Sequence, residues 1–171
     1  AGRTAAGSVA RNIERGAVLG AAAATAAIGY AVDQAMSFEA QLNTINTIAR
    51  EDAAGLQGIG DSIRAESRAT GTAVEDLSTA YYDLLSAGVE KGATATKVMH
   101  DANTLAIGGL SSTAEAVDLL TTAINTYGGD ASKSTQYADE FAVAIERGKV
   151  TAADLAASYA SVGPLAAQLG I

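Results

Sequence analysis

Adjacent carboxylates are the first residues in this chain with chemistry to offer: Glu51-Asp52, Glu75-Asp76 and Asp139-Glu140. A carboxylic acid and a carboxylate facing one substrate would make an acid and base pair, but neighbouring positions on a helix point about 100° apart. Glu75 also has a simpler assignment, three residues after Thr72 in an S/T-x-x-E capping box. His100-Asp101 supplies the base and orienting acid of a triad, yet no serine stands in a nucleophile elbow and cysteine is absent. His100 therefore reads as a surface histidine on a helix, and one histidine cannot build a multi-histidine metal site. Gly55-Leu56-Gln57-Gly58-Ile59-Gly60 has the glycines of a phosphate loop without its Gly-Lys-Ser/Thr ending or a preceding strand. Tyr81-Tyr82, Tyr127, Tyr137 and Tyr159 are spread over several helices and read as core or interface packing, not as a stacking platform for a ligand. These residues predict no enzyme: no catalytic residue, no cofactor and no metal.

What the sequence specifies more sharply is the scaffold. Thr72 with Glu75 and Ser112 with Glu115 are capping boxes forty residues apart, and Gly88 and Gly128 each stand sixteen positions after their cap. A third box, Thr151 with Asp154, follows thirty-nine residues later and reaches an early stop at Gly163-Pro164. Leu105 with Ile145 and Gly108 with Gly148 share the forty-residue step. Boxes of this kind satisfy the orphan N–H groups at a helix start, and glycine takes the left-handed conformation at its end. The spacing predicts antiparallel helical hairpins.

The helices follow from the apolar spacing. Ala73–Ala87 presents Leu77, Tyr81, Leu84 and Leu85, and Thr113–Tyr127 presents Val117, Leu120 and Ile124. Between them, Thr94–Ile107 buries Val98, Ala102 and Leu105; its counterpart, Ser132–Arg147, buries Ala138, Phe141, Ala142 and Ile145. The last copy offers Leu155, Tyr159 and Val162. Glu51–Ala69 is a weaker helix, with Leu56, Ile59 and Ile63 in register but Gly55, Gly58 and Gly60 interrupting it. No strand pattern is present.

Composition agrees. One proline and 49% hydrophobic residues in 171 positions describe a mostly helical protein, and 40 alanines give high helix propensity with little area buried per side chain. Association with partners or other copies is therefore expected to add to its stability. Cysteine is absent, which excludes disulfides and thiolate chemistry and leaves the redox compartment open. Residues 51–171 carry seven basic and sixteen acidic residues, a balance that repels a phosphate backbone and argues against direct sequence-specific nucleic-acid binding.

Residues 1–50 are set apart as an Ala-rich N-terminal helix, ahead of a hairpin module over residues 51–171. Ala17, Ala21, Ala24, Ile28, Ala31, Ala35, Phe38, Leu42, Ile45 and Ala49 follow the four-and-three spacing of a coiled-coil-like seam. Ala17–Val32 carries no charge and follows Arg3, Arg11 and Arg15, so three readings stand: a packing helix, a segment that enters a membrane, or a targeting signal. With Ala1 first and Ile171 falling just after a third repeat begins, the chain is expected to be a segment of a longer protein, cut at both ends.

Taken in order, Ser37-Phe38-Glu39-Ala40, Thr70-Gly71-Thr72, Leu84-Leu85-Ser86-Ala87-Gly88, Asn103-Thr104-Leu105-Ala106, Ala116-Val117-Asp118-Leu119-Leu120, Tyr127-Gly128 and Gly163-Pro164-Leu165-Ala166 carry a resemblance. The chain resembles the core domain of phage tail tape measure proteins of the TP901 type over about residues 36–170. The resemblance implies a structural segment of the virion, in the tail lumen or tip and in the host cytoplasm during assembly. It also implies a part in tail assembly, length determination and genome ejection. Implied partners are tail tube, distal tail and tail tip proteins, tail assembly chaperones, and further copies forming a trimer or hexamer about the tail axis. Transient membrane contact is implied by some members, and a membrane-inserting protein that helps form a delivery channel is the alternative. The chain lacks the family's long coiled ruler, paired spanning segments and lytic domain, so measuring and wall-cutting belong to a parent protein.

Overall fold

The computed structural model describes residues 35–169, apart from Leu110 and Lys149 and from the side chains of Pro164 and Ala167. The chain divides into two units, Ala1–Ala40 and Gln41–Ile171. In the first, residues 35–40 are helical; residues 1–34 of the predicted long helix, including the uncharged Ala17–Val32, lie outside the described residues.

In the second unit all regular structure among the described residues is helical. Residues 41–49 form α1, followed by α2 (Ala53–Thr70), α3 (Val74–Ser86), α4 (Ala93–Gly108) and α5 (Thr113–Thr126). A single 3-10 turn (Ala131–Lys133) leads into α6 (Ser134–Gly148), and α7 (Ala152–Gln168) completes the order. The predicted all-α class holds. α1 ends where Arg50 enters the left-handed region at φ 51°, and the Asn46 amide bridges the turn by bonding both N–H and C=O of Glu51.

Capping explains most boundaries. Ser112 and Glu115 form the predicted reciprocal box at the start of α5, and Thr151 with Asp154 does the same for α7. Asp52 caps α2 through Gly55 N–H. Gly88 and Gly128, at φ 90° and 99°, let the chain leave α3 and α5 by left-handed turns, with Val89 N–H returning to Leu84 O and Gly129 N–H to Ile124 O.

α5 is the central helix, packed against α3, α4, α6 and α7. Around it lie Leu77, Tyr81 and Leu84 of α3, Val98, Met99 and Leu105 of α4, and its own Val117, Leu120 and Ile124, all buried. Every large residue predicted to face inward from α3, α4 and α5 does so, and Leu42, Ile45 and Ala49 of the seam are buried as well.

Five local expectations fail, one of them at Val162, which was expected on the inward face of the last copy with Leu155 and Tyr159 and is 60% exposed. Thr72 does not cap α3: Ala73 is the N-cap with no side-chain bond, because the Thr72 hydroxyl is committed to Asn103. Glu75 is left on the surface. The Gly-Pro pair does not stop the third-copy helix, and α7 continues through it to Gln168. Glycine before proline removes the Cβ that would disfavour the helical region, and its bare backbone admits the Tyr159 ring, which a Cβ there would meet at 3.0 Å. The glycines of α2 do not interrupt it, since burial of Ile59 and Ile63 offsets a cost of up to about 1 kcal/mol per glycine. On α6, Phe141 is buried but Ala142 is exposed, because the alanine pattern was too common to locate the face.

Candidate functional site

The sequence-selected acids turn out to hold helices. Glu51 pairs with Lys91 at 2.8 Å, and Lys91 also donates to Ala49 O, tying the end of α1 to the α3–α4 turn. Asp52 is the α2 cap, Asp76 is exposed in the first turn of α3, and Glu140 accepts from Gln136 one turn earlier on α6. Asp139 and Glu140, like Glu75 and Asp76, are exposed.

His100 and Asp101 diverge. His100 is exposed and its Nδ1 lies 3.0 Å from Glu66 Oε2, joining α4 to α2. Asp101 is buried and turns toward α6, accepting from Lys97 at 2.8 Å, Ser134 at 2.5 Å and Thr135 at 3.0 Å. Burial alone would push the Asp101 carboxyl up; the hydrogen bonds from Lys97, Ser134 and Thr135 and the lysine charge outweigh it and hold the group below the usual carboxylate range.

The sequence reading missed this cluster, although Lys97 and Asp101 at i, i+4 on one helix were a signal for it. It brings a serine within 2.8 Å of a lysine Nζ, the pairing a Ser-Lys hydrolase uses. The chemistry does not follow. A lysine acting as base must be neutral, and Lys97 spends its three donors on Asp101, Ser134 and Thr135. Ser134 is fully buried and donates to a carboxylate held in its ionised form.

A second polar hub stands on Asn103, also fully buried. Its Nδ2 donates to Glu66 and Thr70 of α2, and its Oδ1 accepts from Thr72 and from Thr113 of α5. Together, Lys97–Asp101 and Asn103 make α4 the element through which α2, α5 and α6 are pinned by polar contacts.

The tyrosines lie on several helices and serve packing, as expected, but three of them also meet. Tyr127, Tyr137 and Tyr159 do converge, from three helical segments, with ring centroids 6.1 and 6.3 Å apart and Phe141 edge-on to Tyr159 at 5.4 Å. Burial, with the Tyr127 hydroxyl beside it, pushes the Tyr159 phenol well above its ordinary value. Tyr81 lies elsewhere, buried in the core with its hydroxyl accepting from Gly92 N–H, where burial raises its pKa despite that bond. The rings pack against one another where the end of α5 meets α6 and α7, with Tyr137 and Phe141 buried, Tyr159 half-buried and Tyr127 at the exposed edge.

A cleft of about 530 Å³ lies between the α3–α4 and α5–α6 turns and is lined by Gly88, Glu90, Ala93, Lys97, Asn125 and Asp130, among others. Its one lysine is consumed by the cluster above. Among the described residues no group of three or more His, Cys, Asp or Glu is placed to hold a metal, and no described helix is long and apolar enough to cross a membrane.

Lys97, Asp101 and Asn103 join helices. The family model described as phage-related minor tail protein matches residues 60–171, about two thirds of the chain and nearly all of α2 to α7. No curated protein and no solved structure matches the chain. The helical assembly built on α5 is thus the part that carries the family pattern, and the chain belongs to the phage-related minor tail proteins.

Proposed function

We propose that this chain is a structural segment of a tape measure protein of the TP901 type, seated in the tail lumen or tip, where it contributes to tail assembly, length determination and genome ejection. The observation that carries the reading is the family match over residues 60–171, together with the ordered motifs from Ser37 to Ala166 quoted above. The finer role rests on those motifs. On this reading the chain is not an enzyme, since its Ser-Lys contact is part of a tie that engages all three lysine donors. Its partners are tail tube and tip proteins, assembly chaperones, and copies of itself about the tail axis.

The helices of residues 41–171 pack around α5, so that unit spans far less than a rod rising about 1.5 Å per residue; length measurement belongs to the parent protein. The test is affinity capture of the tagged parent protein from cells assembling tails. Tube and tip proteins are expected in the eluate after mild cross-linking. An eluate without tube or tip proteins, from cells that assemble intact tails, would defeat the proposal.

A further inference from the structure

α7 runs from Ala152 to Gln168 without a break, although the pair Gly163-Pro164 stands inside it. Proline has no N–H to return to the carbonyl four residues back, here Ala160, and glycine leaves helical dihedrals more freely than any other residue. Local sequence therefore favours ending the helix at this point. The two sides of the pair are held differently. Before it, Ala152 is buried, and Tyr159 meets Phe141 edge-on at 5.4 Å and Tyr127 at 6.3 Å. After it, Leu165, Gln168 and Leu169 are exposed, so side-chain burial does little to keep the last turn in line.

The contact that crosses the pair's edge is made by Tyr159. Gly163 is buried, and the Tyr159 ring lies so close to its bare backbone that a Cβ there would stand 3.0 Å from Cε1 and 3.2 Å from Cδ1. We propose that Gly163-Pro164 is a hinge and that Tyr159 is its clamp. With the ring seated on Gly163 the helix runs straight through; with the ring lifted away it ends at Val162, and the residues beyond turn aside. The same ring packs on Phe141 of α6 and on Tyr127 at the end of α5, so the packing of the aromatic cluster and the direction of the end of α7 are coupled. A two-state element needs two arrangements close in free energy, and a local breaking signal opposed by one tertiary contact supplies them. The device goes beyond the tail reading and does not depend on it.

The absence of cysteine allows clean spin labelling of the full chain at Ala114→Cys, exposed in the first turn of α5, and at Gln168→Cys. The labelled parent sequence is expected to give two distances, one for each direction of the last turn. Pro164→Ala should lower the bent population at least about tenfold, and Tyr159→Leu should raise it by a similar factor while the amides of α5 stay protected from hydrogen exchange. In the unlabelled chain, exchange protection should step down at Gly163 and, in Pro164→Ala, extend to Gln168. A single distance that neither substitution moves, or protection that fades evenly from Leu169 inward in the parent and in Pro164→Ala alike, would overturn the hinge. A response to Pro164→Ala with none to Tyr159→Leu would overturn the clamp, and with it the proposed coupling.

Discussion

At Asn103 both amide donors and both carbonyl lone pairs are filled, a full complement for the side chain. Asn103→Ala is expected to cost about 2–3 kcal/mol in denaturant unfolding, because Glu66, Thr70, Thr72 and Thr113 lose a buried partner together. Asp101 behaves as a second pin with a pH signature. Its folded pKa lies below the ordinary value of 3.8, so its contribution is fully present above that value. The contribution is lost as pH falls from 3.8 toward the lower folded pKa, where the unfolded chain takes up a proton the folded chain refuses. Asp101→Ala should remove about 2 kcal/mol at neutral pH and flatten the acid limb of the stability curve. The same loss at neutral pH with an unchanged acid limb would assign the effect to packing. Asp83 has the opposite sign: burial and the neighbouring Asp118 raise its pKa, so ionisation there opposes folding near neutrality. Asp83→Asn is expected to raise the unfolding midpoint at pH 7 and to lose that advantage in acid.

At the scale of elements, the three hydroxyl residues thirty-nine and forty positions apart do different work. Ser112 and Thr151 are caps; Thr72 is a strut to Asn103. Replacing Thr151 by alanine should cost about 1 kcal/mol and add to Asn103→Ala within about 0.5 kcal/mol. Thr72→Ala should instead couple to Asn103→Ala by about 1 kcal/mol in a double-mutant cycle. Additivity at Thr72 would restore it to a capping role. The contrast also marks what local pattern can specify. Helix existence, the inward faces of α3, α4 and α5, and the glycine turns at Gly88 and Gly128 were legible because each depends on residues within a few turns. The partner of Thr72 is thirty-one positions away, and the ties from Asp101 to Ser134 and Thr135 cross from α4 to α6. Such contacts carry no periodicity. The tyrosine cluster was hidden for the same reason, and the Gly-Pro stop misled because tertiary packing of α7 on α5 overrode a local breaking signal.

At the scale of the whole molecule, the 40 alanines supply helix propensity but little buried area per residue, which leaves specificity to the polar pins and the aromatic cluster. A structural tail protein built in this way gains further stability from its surroundings, since any partner that binds only the folded form shifts the equilibrium toward it. The family match covers the pinned helices. The most direct measurement is a map of the purified tail particle at a resolution that separates helices. Density fitting α2 to α7 inside the tube or tip, in symmetry-related copies about the axis, is the predicted result. A complete tail interior with no density for this helical assembly, from particles in which the chain is present only as a soluble contaminant, would contradict the account.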